Sequence, residues 1–325
     1  MALTVAALAL ATGCGAHPPT GAASRPPTSS PTSASHGPTR LVATVEPWRL
    51  PFPVSRSVAF PAGNDIRLAG GLLDHDVSTA DVLLVNLQDG TVRSDGTLAQ
   101  PVHDAGGMAL AGADLVVGGG ASVGSAVVQQ LAGGAYTATD VGALPGPRSD
   151  ATAADTGAVG YLVGGYDGSA LPPSILMTSN GRTFTLFATL IVPVRYAAVA
   201  IADGALWVVG GRTTVDGSVQ TDEIQRVSLT NGAVSVVARL PQPRSDAAAI
   251  VLDGHILICG GDIGATAVAS VLSLDPATGR VQQVAELPGP VADAAAVVAN
   301  DRGYLLGGEA ATRLDTVMEL HYSAS

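Results

Sequence analysis

The sequence predicts an all-β molecule built from six similar four-stranded antiparallel sheets, and three observations carry that expectation. A stretch typified by LPQPRSDAAAIVLDGHILICGG, from Leu240 to Gly261, recurs six times. Each copy closes on a Gly pair, at Gly70-Gly71, Gly118-Gly119, Gly164-Gly165, Gly210-Gly211, Gly260-Gly261 and Gly307-Gly308; by subtraction the first members lie 48, 46, 46, 50 and 47 residues apart. Turn dipeptides fall in the same phase in every copy, with short apolar runs such as ILIC, LWVV and VLSLD between them. Asn-Gly and Asp-Gly pairs supply the positive φ that tight hairpins need. A unit of about 48 residues with four strands has the period of a β-propeller blade.

In chain order, Met1 to Gly13 (MALTVAALALATG) is apolar and ends just before Cys14. It is shorter than the roughly 20 apolar residues that span a bilayer, and it reads as a secretory signal. The Ala11-Thr12-Gly13-Cys14 junction resembles the bacterial lipoprotein signal, although Ala11 stands where that signal has Leu and no Arg or Lys precedes the apolar run. The resemblance implies a lipoprotein signal over 1–14 that is cut before Cys14, which becomes the first mature residue and carries lipid, hence a body held on the outer face of the cell membrane. Residues 15–40 are rich in Pro, Ser, Thr and Ala, with little to bury, and read as a flexible linker. The propeller is expected over 41–325.

Within the propeller, six corners lead into the inner strands: LPFPV (50–54), LAQPV (98–102), LPGPR (144–148), LIVPVR (190–195), LPQPR (240–244) and LPGPV (287–291). Arg148, Arg244 and Val291 each precede their Gly pair by 16 residues. Runs such as DAAAIV and DAAAVV belong nearest the axis, where space is least. The last copy ends after its third strand (Val317–Tyr322), and Leu41–Trp48 sits where a fourth strand precedes every other corner. An open ring would leave two sheet edges exposed. The N-terminal strand, about 41–48, is therefore expected to close blade 6.

A Gly pair after an apolar strand that starts with an aromatic (Tyr161, Trp207, Tyr304), followed by LPxPR, resembles the kelch repeat. The resemblance covers 41–323 and implies a six-bladed kelch-type propeller. Val54, Val102 and Val291 stand where that repeat carries Arg.

Formal net charge is −11, and every one of the 16 basic residues is Arg. An acidic chain without Lys clusters argues against nucleic acid as a partner and against membrane contact other than through lipid. In a four-stranded meander the corners and the loops between second and third strands open on one face. Arg148, Arg195 and Arg244 are expected to ring that mouth, with Asp104, Asp150, Asp246 and Asp293 beside them and Arg212 in a loop. Three guanidinium groups are able to grip a carboxylate, phosphate or acidic peptide; equally, Arg and Asp are residues that the repeat needs for its own bonding. Asp74-His75-Asp76 near His103 offers metal-ligand types, but exposed loop charge accounts for them, and no metal or cofactor is expected. Cys259 reads as a small buried hydrophobe, and Ser179–Phe184 as an Asn-Gly hairpin. The function expected is a binding platform for an envelope protein or glycan. The alternative is an enzyme resembling the six-bladed sugar-acid epimerases, with Arg148, Arg195 and Arg244 holding a carboxylate.

Overall fold

The computed structural model describes residues 39–121, 123–132, 134 and 136–324. The signal segment, Cys14 and nearly all of the expected linker lie outside the described residues. Six sheets of antiparallel strands follow one another along the chain, with inner strands beginning at Val58, His103, Thr152, Ala198, Ala248 and Ala295. Blade 4 shows the plan: Ala198–Ala202, Ala205–Val209, Glu223–Ser228 and Val234–Arg239 pair in that order. The fold is the six-bladed propeller that the spacing predicts.

Blade 6 is assembled from both ends of the body. Thr39–Arg49 pairs antiparallel with Thr316–Ala324 as the fourth strand. Val42 faces His321 and Val45 faces Met318 across the ladder. The strand starts at Thr39, so pairing takes in two residues of the expected linker, through Thr39↔Ala324 and Arg40↔Ser323. Trp48, at its far end, packs against the core that blade 6 shares with blade 1. Blade 1 departs from the four-strand plan: Tyr136–Thr137, from the third-to-fourth connection of blade 2, adds a fifth strand parallel to Gly96–Thr97. The visitor covers part of an outer edge that would otherwise present unpaired backbone groups.

Apolar side chains from facing sheets fill the space between blades. Trp207, Ile224 and Leu240 of blade 4 and its exit corner pack with Ile256, Ile258, Leu272 and Leu274 of blade 5. Tyr161, Trp207 and Tyr304, the aromatic starts of second strands, are all buried.

The Gly pairs form the joints. In each, the second glycine donates its N–H to the carbonyl of the next blade's corner residue: Gly71 to Val102 (2.8 Å), Gly119 to Arg148 (2.8 Å), Gly165 to Val194 (2.8 Å), Gly211 to Arg244 (2.8 Å), Gly261 to Val291 (2.7 Å) and Gly308 to Val54 (2.9 Å). The first glycine passes so close to the same carbonyl that a Cβ on Gly70 would stand 2.6 Å from Val102 O. Gly70 and Gly71 have φ of +63° and +117°, a region costly for residues with a Cβ. The pair is thus required twice, by backbone conformation and by the approach of the neighbouring blade.

Candidate functional site

Each inner strand runs from its corner to the first hairpin turn, so corners and second-to-third loops share one face. A collar of six residues guards the channel there: Arg56, Asp104, Asp150, Tyr196, Asp246 and Asp293, one per blade. All six hold left-handed backbone, with φ between +53° and +58°. Each donates its N–H to the carbonyl of the member before it: Arg56 to Asp293 (2.9 Å), Asp104 to Arg56 (3.3 Å), Asp150 to Asp104 (3.1 Å), Tyr196 to Asp150 (3.0 Å), Asp246 to Tyr196 (2.9 Å) and Asp293 to Asp246 (2.9 Å). The six bonds close a circle. Asp tolerates this conformation better than Arg or Tyr; for those two the strain is of order 1–3 kcal/mol each and is offset by the surrounding bonds.

Inside the collar the channel is a cavity of about 210 Å³, walled by Ala and Gly of the inner strands such as Ala59, Gly106, Gly107, Ala153 and Ala249. Outside it lies a second cavity of about 330 Å³, bounded by the collar, Arg195, Arg212, Asp262 and Glu309. Arg56 and Tyr196 belong to opposite blades, yet Arg56 Nη1 comes within 3.4 Å of the Tyr196 hydroxyl, and its guanidinium lies 5.6 Å from the ring centroid. The two side chains together span the neck.

Carboxylates surround every guanidinium at the mouth. Arg56 pairs with Asp104 (3.2 Å), Asp293 (3.2 Å) and Glu309 (3.4 Å). Arg195 pairs with Asp150 (3.1 Å) and lies against the rings of Tyr166 and Tyr196. Arg212 holds Asp246 (2.8 Å) and Asp262 (3.2 Å). Arg313 reaches Asp76 (2.6 Å), Glu309 (3.5 Å) and Asp74 (4.0 Å). Four cations thus face eight carboxylates. The crowding shows in the titration of the acids. Burial, with Asp150 adding to it against the pull of Arg56, pushes the Asp104 carboxyl up to about 7. Burial and then Asp246 raise Asp293 well above the usual carboxylate range, and burial with Asp246 raises Asp262. Burial and the Arg56 charge depress His103, which bonds the Ser78 hydroxyl through Nδ1 (2.8 Å).

Of the residues predicted from sequence, Arg195, Arg212, Asp150 and Asp246 meet at the mouth. Arg148 and Arg244 do not. Both are buried, and each guanidinium stays within its own blade, donating to Gly164 O and the Ser174 hydroxyl or to Gly260 O and the Ser270 hydroxyl. The corner residue of blade 4 is Val194, whose carbonyl takes the same bond as those of Arg148 and Arg244; Arg195 is one place further on, which is why it points elsewhere. A shared carboxylate grip by Arg148, Arg195 and Arg244 is therefore not built. Arg56, Tyr196 and Arg313 were missed. The signal for the first two was positional: they stand two places after Val54 and Val194, as Asp246 stands two after Arg244.

Asp74–Asp76 forms a short 3-10 turn tied to Arg313. Among the described residues no group of three or more His, Cys, Asp or Glu is placed to hold a metal ion. Cys259 is buried in the second strand of blade 5, and burial pushes its thiol up to about 12. Ser179–Phe184 is a hairpin turn in which Asn180 Oδ1 accepts from the N–H groups of Arg182 (2.9 Å) and Thr183 (3.1 Å).

Residues 243–288 match the model of the kelch motif. No curated protein matches the sequence. Among solved structures, that of YjhT is similar with a TM-score of 0.71 at 13% identity, over 85% of this chain and 99% of that one; at that identity the likeness concerns the fold.

Proposed function

Given a six-bladed kelch-repeat β-propeller, we propose that the chain is a binding platform whose mouth face engages a protein or glycan of the cell envelope. The observation that carries this reading is the contrast between the two faces. Apart from the third-to-fourth connection of blade 2, the turns opposite the mouth are short hairpins, whereas the loops at the mouth differ from blade to blade and enclose a charged cavity of about 330 Å³. Binding residues gather on loops held by a rigid scaffold, and six interlocked blades are such a scaffold. The polypeptide enters the propeller at Thr39, where Thr39 pairs with Ala324 at the end of blade 6 away from the mouth.

The anchor belongs to the same reading. The apolar run to Gly13, Cys14 and the Pro-rich segment after it support export, lipid on Cys14 and retention outside the cell membrane. Each buried methylene of such a chain contributes roughly 0.8 kcal/mol. Cys14→Ser should move the protein from the membrane to the soluble fraction; retention of the variant on membranes would defeat the anchor.

Photo-crosslinking separates the faces. A photoreactive side chain at Val77 or Val215 should give adducts on cells, and one at Asp203 or Asn231, in the opposite turns, should not. Adducts from the opposite turns alone would overturn the reading.

A further inference from the structure

The charge balance at the mouth narrows what this platform takes, and the inference rests on the binding reading above. Every guanidinium at the mouth is already paired to carboxylate, and the well itself is lined by three guanidinium groups (Arg56, Arg195 and Arg212) and five carboxyl groups (Asp216, Asp246, Asp262, Asp293 and Glu309). An anion arriving there has to compete with those carboxylates for the same donors. A cation meets an excess of acceptors in a partly desolvated well, where charge interactions are stronger than in water. The well is small: about 330 Å³ stands at the lower end of the ~300–1,000 Å³ of ligand pockets, room for one side-chain head but not for an oligosaccharide.

The rim supplies the second half of the complementarity. Val77, Val123, Val215 and Val219 are 54%, 78%, 47% and 49% exposed, and all four sit in second-to-third loops of blades 1, 2 and 4, on the face where the well opens. Among the described residues the connections of the opposite face contribute one exposed large apolar side chain, Tyr136 in blade 2. Exposed apolar groups gathered on one face mark an interaction surface.

We infer that the mouth docks a basic segment of a partner protein, one Lys or Arg side chain entering the well between the collar and Glu309 while apolar neighbours of that residue rest on the valine rim. Steering by the acidic excess makes the association salt-dependent.

The test uses the full chain in detergent against an immobilised array of nine-residue peptides. The central residue is Lys, Arg, Gln or Glu, and the flanks are either Leu or Ser. Lys and Arg peptides with Leu flanks should retain at least tenfold more protein than Glu peptides, with the difference shrinking in high salt. Glu309→Gln combined with Asp262→Asn should abolish the Lys preference, and Val215→Ser combined with Val219→Ser the Leu preference; unfolding midpoints establish that the variants fold. The valine pair is solvent-exposed, so it keeps the test open even if the acidic pair fails to fold. Preference for Glu peptides, or equal retention of all centres, overturns the inference. Either result, seen alongside crosslinks from Val77 or Val215, leaves the platform standing and removes only the basic partner.

Discussion

At the residue scale, the Gly pairs and the collar are where single changes count most. Gly164 has φ of +57°, and a Cβ there would collide with Val194 O. Gly204, in the first turn of blade 4, has φ of +65° with nothing within 4 Å of such a Cβ. Both substitutions to Ala carry the left-handed penalty of about 1 kcal/mol, but Gly164→Ala also forces two blades apart. Urea unfolding should show a loss of about 1 kcal/mol for Gly204→Ala and about 3 kcal/mol or more for Gly164→Ala. Similar losses would mean that the joint yields. The collar predicts a pH dependence. The Asp104 carboxyl is raised to about 7, above its unfolded value near 3.8, so between those values the folded state holds more proton than the unfolded one. Its contribution to stability is complete below about pH 4 and is lost as pH climbs through 7, at no more than about 1.4 kcal/mol per pH unit. Asp104→Asn should flatten the decline in stability measured by urea titration from pH 5 to 8. An unchanged slope would place the proton elsewhere, on Asp293 above all.

At the scale of the element, the strand Thr39–Arg49 decides whether the ring is sealed. Its removal strips the fourth strand from blade 6 and exposes Thr316–Ala324 as a bare edge beside the core residues Met318 and Leu320. Deleting 39–49 should lower the thermal midpoint by roughly 10 °C or more and promote association through that edge, as seen by calorimetry and light scattering. An unaltered midpoint would show that blade 6 is stable with three strands. This strand was legible in the sequence because its place is defined by absence: five corners have a strand before them within the repeat, and the first has only Leu41–Trp48. The extra strand at Tyr136–Thr137 was not legible. Its pairing with Gly96–Thr97 depends on how one loop drapes over the neighbouring blade, and no periodicity records that.

For the whole molecule, repetition made the fold readable and obscured the site. Six corners and six Gly pairs in constant phase define blades whatever the individual side chains are. The same averaging drew Arg195 into line with Arg148 and Arg244, although a step of 16 back from Gly210 lands on Val194. Arg56 and Tyr196 went unseen because each breaks the Asp pattern, and their meeting across the neck joins positions 140 residues apart. Constellations made by cross-ring distances are invisible to a reading by local spacing. The seam in blade 6 has a consequence for the order of the blades along the chain. Because Thr39 and Ala324 are direct neighbours, a tight turn of a few residues is enough to join them, as in any hairpin. New ends can then be opened between Ala277 and Thr278, in the exposed turn of blade 5. Such a circular permutant should fold with a melting temperature near that of the parent, its blade 5 now sealed by the two ends. Failure to fold would mean that the starting point of the chain matters to the ring, and success that any blade can serve as the clasp.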